Sequence, residues 1–138
     1  MIYIATHKDL DKLATMLYYL YQEMMSEHYT SDMHIYRLEI MKHLNDSRDT
    51  IYIAEGGFFI IRDETEPMAP TLHRYNGIRV YIEPQHRHTR LLANFYKRLF
   101  EDFPNGDILG STEINSEHIQ VLDKRHECIA KVYKLKRG

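Results

Sequence analysis

A chain of 138 residues is one domain's worth of material, long enough to bury a core without disulfide or metal staples. Its 18 Lys and Arg against 20 Asp and Glu give a net charge of -2, which argues against bulk attraction to nucleic acid or an anionic membrane and leaves only local basic patches. The lone cysteine, Cys128, excludes an intramolecular disulfide and a multi-thiolate zinc site, and with no apolar leader or run of 18 apolar residues a cytoplasmic protein without a membrane span is expected.

The opening MIYIA reads as a strand. Leu10, Leu13, Leu17, Leu20 and Met24 then share one face at 3.6-residue spacing and predict a helix from Lys8 to about Ser26. After YTSD, where Ser31 or Asp32 can cap, Ile35, Leu38, Ile40, Met41 and Leu44 mark a second helix ending near Asn45. TIYIAE and FFIIRDE flank Gly56-Gly57, a tight hairpin signal because glycine tolerates the positive φ of such turns. A polar segment with Pro67 and Pro70 leads to Gly77 and to IRVYIEP, a fourth strand stopped by Pro84. The next helix sets Leu91, Phe95, Leu99 and, from its end, Phe103 on one side before the PNGD turn. DILGSTEI, SEHIQVLDKR and CIAKVYKL follow as strand, short helix and last strand, with Cys128 as a small buried hydrophobe.

The order is β-α-α-β-β-β-α-β-α-β, an α/β (α+β) domain. The helical crossover between strands four and five returns the chain in the same direction, so one parallel pair is expected in an otherwise antiparallel sheet of six or seven strands, with helices on both faces. The stretch VYIEPQHRHTRLLANFYKRLF, Val80 to Phe100, carries the clearest chemistry. A strand runs into Pro84, a basic cluster follows, and an amphipathic helix begins. Its N-terminus offers unpaired N–H groups and the positive end of a dipole, and Arg87, His88 and Arg90 suit phosphates. The plainer alternative leaves Arg87 and Arg90 as solvated first-turn residues. His86-x-His88 lacks a suitably spaced third ligand, so no metal is expected.

In element order along essentially the whole chain, the sequence resembles the GNAT superfamily of N-acetyltransferases. Its phosphate-binding phrase, V-x-P-x-x-R-G-x-G-x-G/A, is matched here by Ile82-Glu83-Pro84-Gln85-His86-Arg87-His88-Thr89-Arg90-Leu91-Leu92. The proline, the arginine three residues later and the apolar positions Phe95, Tyr96 and Leu99 are in register, whereas His88, Arg90 and Leu92 stand where glycine or alanine is expected. The resemblance implies acetyl-CoA as acyl donor, held by Tyr81, Ile82, Arg87, His88, Thr89, Arg90, Leu91, Leu92 and Asn115. A second match is INSEHIQVLDKRHECIAKVYKLKR. Asn115 takes the place of the family's asparagine after strand five, and Asn115-x-x-His118-Ile119-x-x-Leu122 looks more like the diverged GNAT-like proteins of tailed bacteriophages. His126-Glu127 replaces the family's Gly-Phe, and Leu122 stands where many members carry a tyrosine acid.

Acyl transfer in this family is direct. It needs a splay between strands four and five for the pantetheine arm, a backbone amide on strand four to polarise the carbonyl, and a proton acceptor. Glu83 and Glu113, at the ends of strands four and five, are the candidate bases, with ordinary strand-end carboxylates as the plainer reading of each. His118 is a weaker alternative. Tyr81 or Tyr133 would replace the missing acid. Tyr18, Tyr19 and Tyr21 cover different sides of the first helix, so at least one of these rings faces outward, to border the acceptor or, with Met24 and Met25, to dock a partner. The favoured function is an acetyl-CoA-dependent N-acetyltransferase acting on a small-molecule or protein amine. The alternative is a catalytically degenerate GNAT-fold binding or assembly protein, a homodimer or a phage virion component. Nucleic-acid binding through Arg87, Arg90, Lys97 and Arg98 is disfavoured by the balanced charge.

Overall fold

The computed structural model describes residues 1–24, 26–110 and 135–136. Strand β1 (Tyr3–Ile4) leads into a short 3-10 turn, His7–Asp9, started by a reciprocal cap: Thr6 Oγ1 accepts from the Lys8 amide, and the Asp9 carboxylate accepts from the Thr6 amide. Helix α1 (Leu10–Glu23) follows, then α2 (Met33–Asn45), whose first turn is capped by Asp32 accepting from the His34 amide at 3.0 Å. Strands β2 (Asp49–Ala54), β3 (Gly57–Asp63) and β4 (Arg74–Ile82) precede helix α3 (Leu91–Asp102) and β5 (Asp107–Gly110).

Among the described residues these strands form one sheet in the order β1-β2-β3-β4-β5, antiparallel except for the expected parallel β4–β5 pair. The last four residues of the predicted strand DILGSTEI, the helix SEHIQVLDKR and all of CIAKVYKL but Leu135 lie outside the described residues. Alternation along β2 and β3 divides the core in two. Ile51, Ile53, Phe58 and Ile60 pack under α1 and α2 with Leu13, Leu17, Tyr36 and Ile40. Tyr52, Ala54, Phe59 and Ile61 face α3 and meet Phe95 and Leu99. Helices therefore cover both faces. Helix α3 is also pinned by polar contacts: the Tyr52 hydroxyl donates to Asp102 at 2.6 Å, and Arg98 donates to Asp102 and to the Ile2 carbonyl.

Three expectations need correction. The inward stripe of α2 is Tyr36, Ile40 and His43, while Ile35 and Leu38 are about half exposed, 48% and 49%. The cause is phase: at 3.6 residues per turn Tyr36, Ile40 and His43 form one row, and Ile35 and Leu38 flank it on the outside. The hairpin turn is Glu55-Gly56, not Gly56-Gly57, because Ala54 pairs with Gly57 and, of these two glycines, Gly56 alone has positive φ, 93°. Pro84 does not lead straight into a helix. A 3-10 turn, Pro84–His86, and four further residues precede α3, so Arg87, His88 and Arg90 belong to a loop rather than to a first helical turn.

Candidate active site

The loop between β4 and α3 is built on the β2–β3 hairpin. Glu83 donates its amide to the Gly56 carbonyl at 2.7 Å, and the His86 ring lies directly over Gly56, where a Cβ would come within 2.3 Å of it. Thr89 closes the loop: its hydroxyl donates to the His86 carbonyl at 2.6 Å and accepts from the Leu91 amide at 3.3 Å. Among the described residues the amides of His88, Arg90, Leu92 and Ala93 have no acceptor, and the side chains of His88 and Arg90 are exposed. These are the donors an anion at this helix end requires. Non-glycine residues nowhere adopt positive φ among the described residues, so His88, Arg90 and Leu92 fill the family's glycine positions without left-handed strain.

The remaining predicted cofactor residues are placed differently. Arg87 turns back from the loop. Its Nε donates to the Ile82 carbonyl at 2.9 Å, its Nη2 pairs with Glu23 at the end of α1, and its guanidinium lies 5.9 Å from the Tyr81 ring centre. Tyr81 is buried on the α1–α2 face with its hydroxyl toward Glu23, and burial, then the Glu23 charge, raise its phenol above the ordinary range. Ile82 and Leu91 pack with the α3-side core, and Leu92 is partly buried. Glu83 is partly buried, and its carboxylate accepts from the Gln85 side-chain Nε2 at 2.9 Å. Asn115 and Glu113, like His118, Leu122, Cys128 and Tyr133, lie outside the described residues.

A second polar site sits farther back along β4, and the sequence reading missed it. Between the pairs Ile60–Arg79 and Ile61–Gly77, β4 carries one extra residue, Ile78, a β-bulge. Strict alternation from Tyr75, which faces α3, would send Arg79 to that side as well. The extra residue reverses the phase, and Arg79 instead reaches Tyr21 on α1 and Glu39 and His43 on α2. There it borders a cavity of about 320 Å³ lined also by Glu39, Lys42, His43, Asp46, Arg62 and Ile78.

The cavity wall is an ordered charge network. His43 Nδ1 lies 2.8 Å from Asp49 Oδ2, Arg62 grips the same carboxylate at 2.7 and 2.9 Å, and Arg79 Nε donates to His43 Nε2 at 3.2 Å. An arginine only donates, so Nε2 is the bare nitrogen and the ring proton sits on Nδ1, facing Asp49. The Asp49 side chain is fully buried and that of His43 nearly so, 0% and 6% exposed. Burial alone would raise Asp49, but hydrogen bonds from Arg62 and His43 reverse this and hold it below its ordinary value. Glu39 is likewise lowered, burial opposing and the Arg79 charge, then that of Lys42, prevailing.

No family model matches the sequence, and no curated protein does. The fold is nevertheless shared with solved acetyltransferases over the whole chain. A possible acetyltransferase from Clostridium difficile 630 superposes with a TM-score of 0.76 at 18% identity, covering 100% of this chain and 97% of that one. A ribosomal-protein-alanine N-acetyltransferase from Brucella melitensis biovar Abortus 2308 does so at 0.71 and 14%, covering 100% and 99%. AAC(6')-Iy, in complex with the bisubstrate analogue CoA-S-monomethyl-acetylneamine, gives 0.71 at 10%, covering 100% and 97%. This chain has the GNAT fold.

Proposed function

We propose that the protein is an acetyl-CoA-dependent N-acetyltransferase acting on a primary amine. The observation that carries this reading is the course of β4: one strand joins a bulge beside a polar cavity to a loop of open amides at the start of α3. A donor lying along that strand would place its phosphates on the amides of His88, Arg90, Leu92 and Ala93 and its thioester near Ile78. The exposed Arg90 and His88 add donors, and Arg87 is available on release from Glu23. When bound, acetyl-CoA supplies an activated acyl group. The chain's part is to align it, offer a strand amide to its carbonyl, and accept the amine's proton. Neighbours of this fold that are acetyltransferases, one of them bound to a CoA-linked analogue, support the reading, although fold alone does not assign activity. Of the two carboxylates proposed as base, Glu83 stands five residues beyond Ile78, about 16 Å along an extended strand, nearer the phosphates than the thioester.

The test pairs calorimetric titration of coenzyme A and acetyl-CoA with thiol release over polyamines, aminoglycosides, amino acids and peptides. Micromolar to submillimolar binding with turnover of one amine class is expected. Absence of binding at millimolar cofactor would overturn the reading. Binding without turnover would favour the assembly alternative, for which the outward Tyr19, Met24, Ile35 and Leu38 offer an apolar contact surface.

A further inference from the structure

We infer that His43, oriented by Asp49, is the group that takes the proton from the acceptor amine, and that the cavity beside the β4 bulge receives that amine as a cation. The inference rests on the acetyltransferase reading and deepens it by naming the base and the acceptor's charge.

The arrangement has the parts a general base needs. Its accepting nitrogen, Nε2, is unprotonated because Arg79 donates to it, and its other nitrogen is fixed by a buried carboxylate at 2.8 Å. The side chains of His43 and Asp49 are both buried, at 6% and 0% exposure. His43 lines the same cavity as Ile78, where the strand's pairing is interrupted. The groups facing the ring are Asp49 from β2, Glu39 from its own helix at 3.7 Å and Arg79 from β4, with Arg62 of β3 behind Asp49. Two carboxylates beside the ring offset the charge it gains, and Glu39, about one-third exposed, is placed to receive an ammonium at the mouth.

Arg79 holds the place of the substrate. Its bond to Nε2, at 3.2 Å, is longer than the Arg62 contacts to Asp49, and its other nitrogens stay engaged by Tyr21 and Glu39 when an ammonium displaces Nε. The ammonium then passes one proton to Nε2, leaving an imidazolium paired with Asp49. The neutral amine forms the C–N bond as the C–S bond breaks, the amide nitrogen's surplus proton goes to the thiolate, and the imidazolium returns its proton to water. Net, one ammonium and one thioester give one amide, one thiol and one proton.

The test has two readouts. In the parent, nitrogen-15 histidine NMR, with His43 assigned by its loss in H43Q, is expected to show the neutral tautomer protonated at Nδ1; an Nε2–H tautomer overturns the inference, and this reading does not depend on any variant folding. Kinetically, with acetyl-CoA and whichever of spermidine, kanamycin or an alanyl peptide the parent turns over, H43Q is expected to lower kcat by about 10²-fold or more and abolish the acid limb of its pH profile, with the KM for acetyl-CoA nearly unchanged. D49N is expected to lower kcat less and distort the same limb. Thermal midpoints that fall while kcat and its pH profile persist make the network a brace and overturn the inference alone. Loss of the acid limb in E113Q but not in H43Q overturns it in favour of Glu113. A parent that binds no coenzyme A overturns it together with the acetyltransferase reading, and a parent that binds coenzyme A but acetylates no amine leaves the dyad without a proton to accept and overturns it too.

Discussion

Replacing Gly56 with alanine strikes the contact on which the phosphate loop is built. Gly56 has φ 93°, and its added Cβ would lie 2.3, 2.5 and 2.7 Å from three atoms of the His86 ring. Two costs follow, and they separate. An L-residue in left-handed backbone costs about 1–2 kcal/mol whatever surrounds it. The ring is rigid and must move by about 1 Å to restore contact distance, an overpacking strain of about 1–3 kcal/mol. G56A is therefore expected to destabilise by about 2–5 kcal/mol in urea titrations, the sum of those two ranges. The strain has a route to function. His86 accepts the Thr89 hydroxyl through its carbonyl, and Thr89 in turn holds the Leu91 amide, so displacing the ring shifts the loop's open amides. Coenzyme A affinity measured by calorimetry is expected to fall in G56A. Removing the ring recovers only the second cost: G56A/H86A is expected to be more stable than the two single effects summed, by about 1–3 kcal/mol of coupling. A double variant that is merely additive, or a G56A protein as stable as its parent, would refute the reasoning.

Other perturbations probe other parts of the structure. Tyr52→Phe removes the 2.6 Å bond to Asp102 and is expected to cost about 1.5–3 kcal/mol by chemical denaturation. Burial, then Asp102, hold the Tyr52 phenol above its ordinary value, so the parent's folded state keeps a proton that the unfolded chain releases above about pH 10; the parent is expected to lose stability there more steeply than Y52F. Asp49 is depressed, so its contribution is complete above the unfolded value near 4 and is lost as pH falls through the folded one; urea midpoints from about pH 7 to 2.5 are expected to drop in the parent and to respond less in D49N, which starts lower. Replacing Arg87 and Arg90 together with alanine is expected to weaken coenzyme A by about 1–3 kcal/mol in calorimetry, and unchanged affinity would reject the loop as the phosphate site.

Much of the fold was legible because periodicity and turn chemistry agree with burial. Leu13 and Leu17 of α1, Phe95 and Leu99 of α3, and the alternating β2–β3 hairpin all pack as their spacing requires. The parallel β4–β5 pair followed from the crossover helix. Helix α2 ends at Asn45 as its apolar residues require, but its buried row is harder to read from them, because that row joins His43 to Tyr36 and Ile40. A histidine in an apolar row is the available signal for a buried, partnered ring.

The candidate site was less legible, and two single-residue phase errors explain why. Reading the turn as Gly56-Gly57 sets Glu55 opposite Phe58 and carries Asp49 opposite Glu64, two like charges. The true Glu55-Gly56 turn sets Asp49 opposite Arg62, the pair that holds the carboxylate beneath His43. That correction was within reach of the sequence, since a cross-strand charge match is worth more than a mismatch and should have chosen between the turns. The second slip was not. Nothing in IRVYIEP marks Ile78 as a bulge, and a regular strand through it would point Arg79 away from α2. The same bulge thus decides both which face Arg79 serves and where β4 departs from its regular pairing: by taking Ile78 out of the ladder it keeps Arg79 opposite Ile60, on the α2 side. A β4 that instead ran through Ile78 in strict alternation would turn Arg79 to the α3 side and lose its contacts to Tyr21, Glu39 and His43.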